Sequence, residues 1–249
     1  MSKIDPANAT LAEHLKELRR RIMFGFGTVM VAFGLAYAFK EQLFRLLTAP
    51  LFNADSNYHG QMVFTSVPEF FFSYVKLAFL VGLFAGLPVL LVQLWRFMAP
   101  GLYQHEKRLL LPFLIATPVL FYAGGLFAYW VVMPIAIKFF FAFATPEVIP
   151  LPSVREYLSF FLKMLFGFGL AFEMPVALLL AVRAGLLSPA QLAYFRRYAW
   201  VLIFIAAAVL TPPDPLSQML LAVPMLILYE VAVWGAYFMA PQKNAPEAE

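Results

Sequence analysis

The sequence predicts an all-α polytopic membrane protein with six transmembrane helices and both termini in the cytoplasm. Its 249 residues are 63% hydrophobic and 13% charged, with a mean hydropathy of +0.79, which is outside the range of soluble domains. Twelve of its eighteen Lys and Arg residues lie before the first apolar stretch, in every second connection and after the last stretch. This alternation follows the positive-inside rule. The twelve are Lys3, Lys16, Arg19, Arg20, Arg21, Arg96, Lys107, Arg108, Arg183, Arg196, Arg197 and Lys243.

The same composition limits the function classes. A chain of 249 residues with six spans has no room for a separate soluble domain, so we expect one domain over residues 1–249. The net charge of +4 follows from the loop bias and does not predict nucleic-acid binding. The absence of cysteine excludes disulfides and thiol catalysis. The six remaining cations lie in the alternate connections or in or beside apolar runs: Lys40, Arg45, Arg155, Lys76, Lys138 and Lys163.

The N-terminal region predicts an amphipathic cytoplasmic helix over about residues 10–21. Thr10 and Glu13 form a capping-box pattern, and leucines at helical spacing predict that this helix lies on the membrane surface before the chain turns in near Ile22. The first span is expected over about residues 22–39. Ala36-Tyr37-Ala38 faintly resembles a signal-peptide cleavage site, but the apolar run is longer than a usual signal core, so we do not expect cleavage.

Three further spans are expected over about residues 70–97, 109–144 and 157–182, and a short surface helix over 40–49. Gly82 and Gly86 in the second span offer close helix approach. The third apolar run is too long for one crossing, so its helix should leave the membrane near Met133 and continue outside, with Lys138 included.

The last two spans are expected to be short. The apolar run 198–210 has only about thirteen residues, or roughly 20 Å of helix, against about 30 Å of hydrocarbon. The Pro-rich segment 211–215 then turns the chain back into the last span, 218–239. Short helices imply a thinned bilayer or a partner that covers them. A short disordered tail is expected at 241–249.

Glu173 lies well inside the fourth span, where a carboxyl group is costly and so should meet a cavity or a polar partner. It is either a docking point for a partner helix with a polar group or a carboxyl satisfied within the bundle, for instance by a backbone group freed by Pro175. Gln218 opens the last span and Glu230 lies near its inner end. Both are candidate polar features of the same face.

Glu17 and Glu106 are the cytoplasmic candidates. Taken singly, Glu17 can pair with Arg20 or Arg21, and Glu106 suits the first turn of a helix. Taken together, two carboxylates on neighbouring loops could each accept one guanidinium fork and so capture two consecutive arginines of a peptide.

No signature of catalysis is present in the sequence. Zinc-protease, nucleophile-elbow and phosphate-loop motifs are all missing, and the three histidines are scattered. We therefore expect neither an enzyme nor a metal or cofactor site. A proton-coupled transporter of small solutes, with Glu173 as the titrating group, is the alternative, although the sequence contains no internal repeat that would favour it.

Five ordered motifs resemble one family, TatC, the multispan subunit of the twin-arginine protein translocase. They cover nearly the whole chain and are HLKELRRR (14–21), FMAPGLYQHEKR (97–108), LFYAGGLFAY (120–129), FGLAFEMPVA (168–177) and LTPPDPLSQ (210–218). The resemblance implies a receptor in the bacterial cytoplasmic membrane that recognises the twin-arginine signal of folded proteins. Transport would be driven by the proton-motive force.

The resemblance also implies residue roles. Glu17 and Glu106 would receive the arginines of the signal, and the surrounding surface would be shaped by His14, Leu18, Arg19, Phe97, Pro100, Leu102 and Tyr103. Glu173 would face the concave side of a glove-like bundle. The fifth and sixth helices would hold TatB-like and TatA-like single-span partners, with Gln218 near that contact, in a complex containing several copies of the chain within the lipid bilayer. Pro50 and Asp214 match structural outer-loop positions, and the role of Lys163 stays open.

Overall fold

The computed structural model describes residues 11–53, 61–98, 107–145, 150–211 and 214–239, and gives only the backbone for 11–14, 96, 98 and 107–111. Within these ranges the regular elements are helices, which are joined by turns and irregular segments, and an isolated bridge pairs Val63 with Ser153. The helices are α1 (Leu11–Ala38), α2 (Lys40–Asn53), α3 (Glu69–Met98), α4 (Lys107–Phe127), a π-helical segment (Ala128–Val132), α5 (Met133–Phe141), α6 (Val154–Arg183), α7 (Pro189–Leu210) and α8 (Pro215–Met239).

Six helical segments are long and apolar enough to span a membrane, which confirms the predicted number of spans. The third segment runs through α4, the π-helical turn and α5 and includes Lys138. The helix therefore continues past Met133, as predicted. No pattern in the sequence indicates the π-helical turn, which directly precedes Met133 and Pro134.

The structure corrects two expectations about helix ends. α1 runs without a break from Leu11 to Ala38, so within the described residues there is no turn near Ile22. α7 has 22 residues, or about 33 Å, rather than about thirteen. It begins early because Ser188 accepts a hydrogen bond from the Gln191 N–H at 3.1 Å while the Gln191 side chain accepts one from the Ser188 N–H at 2.8 Å. Even so, α7 and α8, with 22 and 25 residues, are shorter than α1, α3 and α6, which have 28, 30 and 30.

α2 extends through Pro50 to Asn53 and is therefore longer than the expected helix over 40–49. Pro50 has no N–H to donate to the carbonyl of Leu46, four residues earlier. The Tyr129 hydroxyl donates to that carbonyl at 2.9 Å, and the Tyr157 hydroxyl donates to the next one, of Leu47, at 2.8 Å. Two tyrosines from other helices thus supply donors at the point where proline interrupts the backbone ladder.

The chain forms two compact units, residues 1–169 and 170–249, and α6 contributes to both. In the first unit, α1 and α3 are antiparallel and very closely packed. A Cβ atom added at Gly82 would lie 2.5 Å from the Phe33 nitrogen, and one at Gly86 would lie 2.6 Å from a Val29 methyl group. Gly82 and Gly86 therefore make the close approach that the sequence predicted, and they fix the position of α1 along α3.

In the second unit, α7 and α8 pack against each other, and α8 also contacts the end of α6. Leu221, Ala222, Ala232 and Ala236 are buried, and Gly235 contacts Leu179 of α6. α6 ends at Arg183, and Gly185, two residues later, has a φ of +70° in the left-handed conformation that glycine adopts without strain.

Candidate functional site

Glu17 lies on α1 and is held by its own helix. Nε of Arg21, four residues later, donates to Oε1 of Glu17 at 3.0 Å, and Arg21 Nη2 contacts the same oxygen. This local pair is one of the two arrangements that the sequence allowed for Glu17. The side chain remains 40% exposed, so the pair does not remove the carboxylate from solvent.

Arg21 also connects α1 to α3, because its Nη1 donates to the amide oxygen of Gln93 at 3.3 Å. Glu17, Arg21 and Gln93, with Arg20 and Phe24, line a cavity of about 290 Å³. The contact with Gln93 follows from the antiparallel packing of α1 on α3 and has no signal in the sequence. The structure thus adds Gln93 to the candidate residues around Glu17.

The structure describes the side chains of some of the other predicted site residues, only the backbone of one, and none of four. Leu18 is half-buried and Arg19 is exposed on α1, and Phe97 is half-buried in the last turn of α3. His14 lies on α1 one turn before Glu17, and only its backbone is described. Four predicted residues, Glu106 together with Pro100, Leu102 and Tyr103, lie outside the described residues.

Glu173 is buried in the second unit, with 6% of its surface exposed. It lies in the middle of α6, two residues before Pro175. The structure therefore places a carboxyl group inside the apolar part of a helix long enough to span a membrane, as the sequence predicted. The nature of its partner stays a prediction.

Gln218 lies in the first turn of α8 and donates from Nε2 to the carbonyl of Phe204 on α7 at 3.2 Å. Together with α7 side chains that include Arg197, Trp200 and Val201, it lines an open groove of about 550 Å³. The apolar side chains along this part of α7 are exposed. Gln218 and Arg197 are thus the two polar side chains of a groove that is otherwise lined by apolar side chains.

Glu230 has a partner within the second unit. Its Oε1 lies 2.7 Å from Nε of Arg196, so an ion pair joins α8 to the first half of α7. The sequence placed Glu230 among the polar features of the face that includes Gln218. The structure pairs it instead with one of the cations of the connection between the fourth and fifth spans.

The structure places Pro50 inside α2 rather than in an outer loop, and Asp214 directly before the start of α8. Pro50 is buried in α2. The Asp214 side chain accepts a hydrogen bond from the Ser217 N–H at 2.7 Å and its carbonyl accepts one from the Gln218 N–H at 3.2 Å, so Asp214 caps the start of α8.

Sequence reasoning missed Glu69, the first residue of α3. Its carboxylate accepts five hydrogen bonds, from the backbone and hydroxyl of Thr65, the backbone of Ser66, the hydroxyl of Ser153 and the backbone of Arg155. Ser153 and Arg155 lie more than eighty residues further along the chain. An acidic residue at a helix start is ordinary, so the sequence carried no sign of this junction.

Comparison with known proteins assigns the chain to a family. The family model described as "Sec-independent protein translocase protein (TatC)" matches residues 13–224. The chain belongs to the TatC family. A TatC protein of Magnetococcus marinus is 49% identical over 245 residues, which are 97% of this chain and 90% of the relative. The TatC protein of Escherichia coli strain K12 is 39% identical over 239 residues, covering 95% of this chain and 92% of the relative.

Solved structures of TatC proteins agree with this assignment. A crystal structure of the twin arginine translocase receptor TatC in DDM superposes with a TM-score of 0.81 at 38% identity and covers 90% of this chain and 99% of that one. A second crystal structure of the receptor gives a TM-score of 0.80. The chain is therefore a multi-pass membrane component of the Sec-independent protein translocase, and the TatC family is a family of translocase subunits rather than of enzymes.

Proposed function

We propose that this chain is the receptor subunit that binds the twin-arginine signal peptide of folded precursor proteins at the cytoplasmic face of the bacterial inner membrane. Glu17 and Glu106 each accept one guanidinium group of the signal. Single-span TatB-like and TatA-like subunits bind along α7 and α8, further copies of the chain join the complex, and the proton-motive force drives export.

The observation that carries the proposal is the set of contacts that Arg21 makes with the Glu17 carboxylate and with Gln93, at the edge of a cavity. A carboxylate has about four acceptor positions on its two oxygens, and Arg21 contacts Oε1. Arg21 is itself fixed to Gln93. The pair therefore orients the carboxylate within a cavity, and no other described residue donates a hydrogen bond to Oε2, which can accept an incoming guanidinium group. In this role Arg21 is a positioning residue for Glu17.

The backbone supports a meeting of Glu17 and Glu106. α3 ends at Met98, about 8 Å along the helix from Gln93, and α4 begins at Lys107, directly after Glu106. Glu106 thus directly precedes α4 and lies eight residues after Met98, the end of the helix that contacts Arg21 through Gln93. Eight residues, 99–106, connect these helix ends, and an extended chain of that length spans at most about 28 Å.

The chemistry explains why arginine would be preferred. The planar guanidinium group donates two parallel N–H bonds to one carboxylate, whereas the lysine ammonium is a point charge without that fork. Two adjacent carboxylates therefore select two adjacent arginines. Loss of one charge-assisted hydrogen bond costs about 1.5–3 kcal/mol, which is roughly a 10- to 150-fold loss of affinity.

The groove beside Gln218 supports the proposed partner contact. It is apolar along α7 and has an amide and the Arg197 guanidinium in its lining. A single-span helix with one polar side chain would cover the exposed apolar residues and pair its polar group with Gln218, since an unpaired polar group within the bilayer is costly.

The test is the binding of signal peptides to the purified protein. A fluorescent twin-arginine peptide and its twin-lysine counterpart are titrated against the unaltered chain, Glu17→Gln, and Glu41→Gln as a matched control on α2. We expect tighter binding of the arginine peptide, a loss of at least about tenfold in Glu17→Gln, and no change in the control. Equal affinity of Glu17→Gln and Glu41→Gln for the arginine peptide would refute the assigned site.

A further inference from the structure

Three of the six cations outside the predicted cytoplasmic connections gather along the outer halves of α3 and α6. Nζ of Lys76 on α3 donates to the Ser159 hydroxyl on α6 at 2.8 Å. Arg155 lies one turn before Ser159 and Lys163 one turn after it. Lys76, Arg155 and Lys163 are all exposed. The result is a basic strip within segments that are otherwise apolar enough to span a membrane.

These cations lack a protein counterion in the part of the chain that is described. Neither Lys76 nor Arg155 is within ion-pair distance of a carboxylate of a described residue. Glu69 is near, but it is 6% exposed and both of its oxygens are occupied by the Thr65–Ser66 and Ser153–Arg155 segments. Lys76 uses one of its three donors on Ser159. A positive strip at bilayer depth therefore has unused donors.

The positions of Lys76 and Lys163 along their helices show towards which membrane surface their side chains extend. Lys76 lies seven residues, or about 10 Å, along α3 from its start at Glu69. Side chains on a helix lean towards the N-terminus of that helix. The bridge between Val63 and Ser153 places the starts of α3 and α6 at the same end, which the charge pattern assigns to the outer surface. Lys76 and Lys163 therefore reach towards the outer headgroup region.

The cavity next to the strip has two chemically different parts. Lys76 and Arg155 belong to its lining, together with the hydroxyls of Ser66 and Ser73 and the Glu69 carboxylate, whose two oxygens already accept hydrogen bonds from neighbouring segments. The side chains of Phe72 and Phe79 provide an apolar wall that continues along α3. Its volume is about 580 Å³. Such a site fits a molecule with a small anionic group at one end and hydrocarbon at the other.

We propose that this groove binds an anionic phospholipid of the outer leaflet, with the headgroup phosphate between Lys76 and Arg155 and an acyl chain along Phe72 and Phe79. The phosphate pairs with the side chains of Lys76 and Arg155, which have no carboxylate of a described residue within ion-pair distance, at the depth that these cations reach. Lys163 adds positive charge one turn deeper. The inference does not depend on signal-peptide binding.

The test is lipid retention by the full-length protein in detergent, measured by native mass spectrometry with phosphatidylglycerol and phosphatidylcholine as probes. The variants are Lys76→Gln, Arg155→Gln and their combination. The matched control is Lys40→Gln/Arg45→Gln, which removes two outer cations outside the groove. Lys76→Arg keeps the charge, and circular dichroism shows whether each variant retains its helices.

We expect preferential retention of phosphatidylglycerol, a loss of affinity of roughly fivefold for each cation removed, and no loss in the control or in Lys76→Arg. Equal retention of the two lipids, or unchanged retention in the double variant, would overturn the proposal. So would displacement of phosphatidylglycerol by equimolar inorganic phosphate, which would indicate an ion site. Loss of a co-purified single-span subunit with unchanged lipid retention would assign the groove to a protein partner and equally overturn the proposal.

Discussion

Replacing Gly82 with alanine tests the close packing of α1 on α3. The added methyl group would lie 2.5 Å from the nitrogen and 2.6 Å from the Cα of Phe33. Both are backbone atoms of α1 and cannot rotate away, so the helices must separate by nearly 1 Å to reach an ordinary contact of 3.4 Å. Overpacking of this kind lowers the free energy of unfolding by about 1–3 kcal/mol. The higher helix propensity of alanine offsets at most about 1 kcal/mol of that loss.

The expected net destabilisation is thus about 1–2 kcal/mol, which corresponds to a decrease in Tm of roughly 2–8 °C for a chain of this size. Gly34→Ala is the control, because a Cβ at Gly34 meets no atom within 4 Å. Both variants are heated in the same detergent and followed by circular dichroism. If Gly82→Ala and Gly34→Ala unfold at the same temperature, the close helix approach is wrong. Since α3 also positions Gln93 beside Arg21 and Glu17, Gly82→Ala should weaken peptide binding as well.

Three further predictions concern other elements. Glu69→Ala removes the acceptor of five hydrogen bonds, so we expect a lower Tm and faster proteolysis within residues 61–68. Tyr129→Phe removes the hydroxyl that donates to the Leu46 carbonyl, and Pro50 has no N–H to replace it. The variant should therefore lower the free energy of unfolding by about 1–3 kcal/mol, measured by thermal unfolding. Glu173→Ala should disrupt co-purification with single-span partners and leave signal-peptide binding largely intact.

Each of these predictions has a result that would contradict it. Unchanged proteolysis of Glu69→Ala would show that the carboxylate does not hold the outer segment. Tyr122→Phe is the control for Tyr129→Phe. The Tyr122 hydroxyl donates to the Ala85 carbonyl, and this carbonyl still has the Val89 N–H, one helical turn later, as a donor when the hydroxyl is removed. Equal losses in the two tyrosine variants would refute the role of Pro50. An unchanged subunit composition in Glu173→Ala would contradict partner docking.

The number of spans and a close helix approach at one face of α3 could be predicted from the sequence because both depend on local patterns. Apolar length determines the spans, and the Gly82–Gly86 spacing predicts close approach whichever helix is the neighbour. The pair of Glu17 with Arg21 is likewise a local i, i+4 contact. Such features are properties of one helix face and need no knowledge of the tertiary arrangement.

Features that depend on distant contacts could not be predicted. The apolar run 198–210 is shorter than α7 because the helix already starts at the Ser188 cap, within a polar stretch of sequence. α2 passes through Pro50 because tyrosines from two other helices donate to its carbonyls. Glu69 and Gln93 owe their roles to residues more than seventy positions away. None of these contacts leaves a periodic signal in the sequence.

The most direct test of the receptor mechanism is the distance between positions 17 and 106. The chain has no cysteine, so Glu17→Cys/Glu106→Cys carries spin labels at these two sites alone, and dipolar EPR spectroscopy measures their separation. Two adjacent arginines, with Cα atoms about 3.8 Å apart and side chains of roughly 6 Å, place their guanidinium groups at most about 16 Å apart. With a hydrogen bond of about 3 Å at each end, they reach carboxylates no more than about 22 Å apart. The account predicts a separation of that order in the purified protein. A separation well above about 25 Å would contradict it, because no pair of neighbouring arginines could then contact both carboxylates.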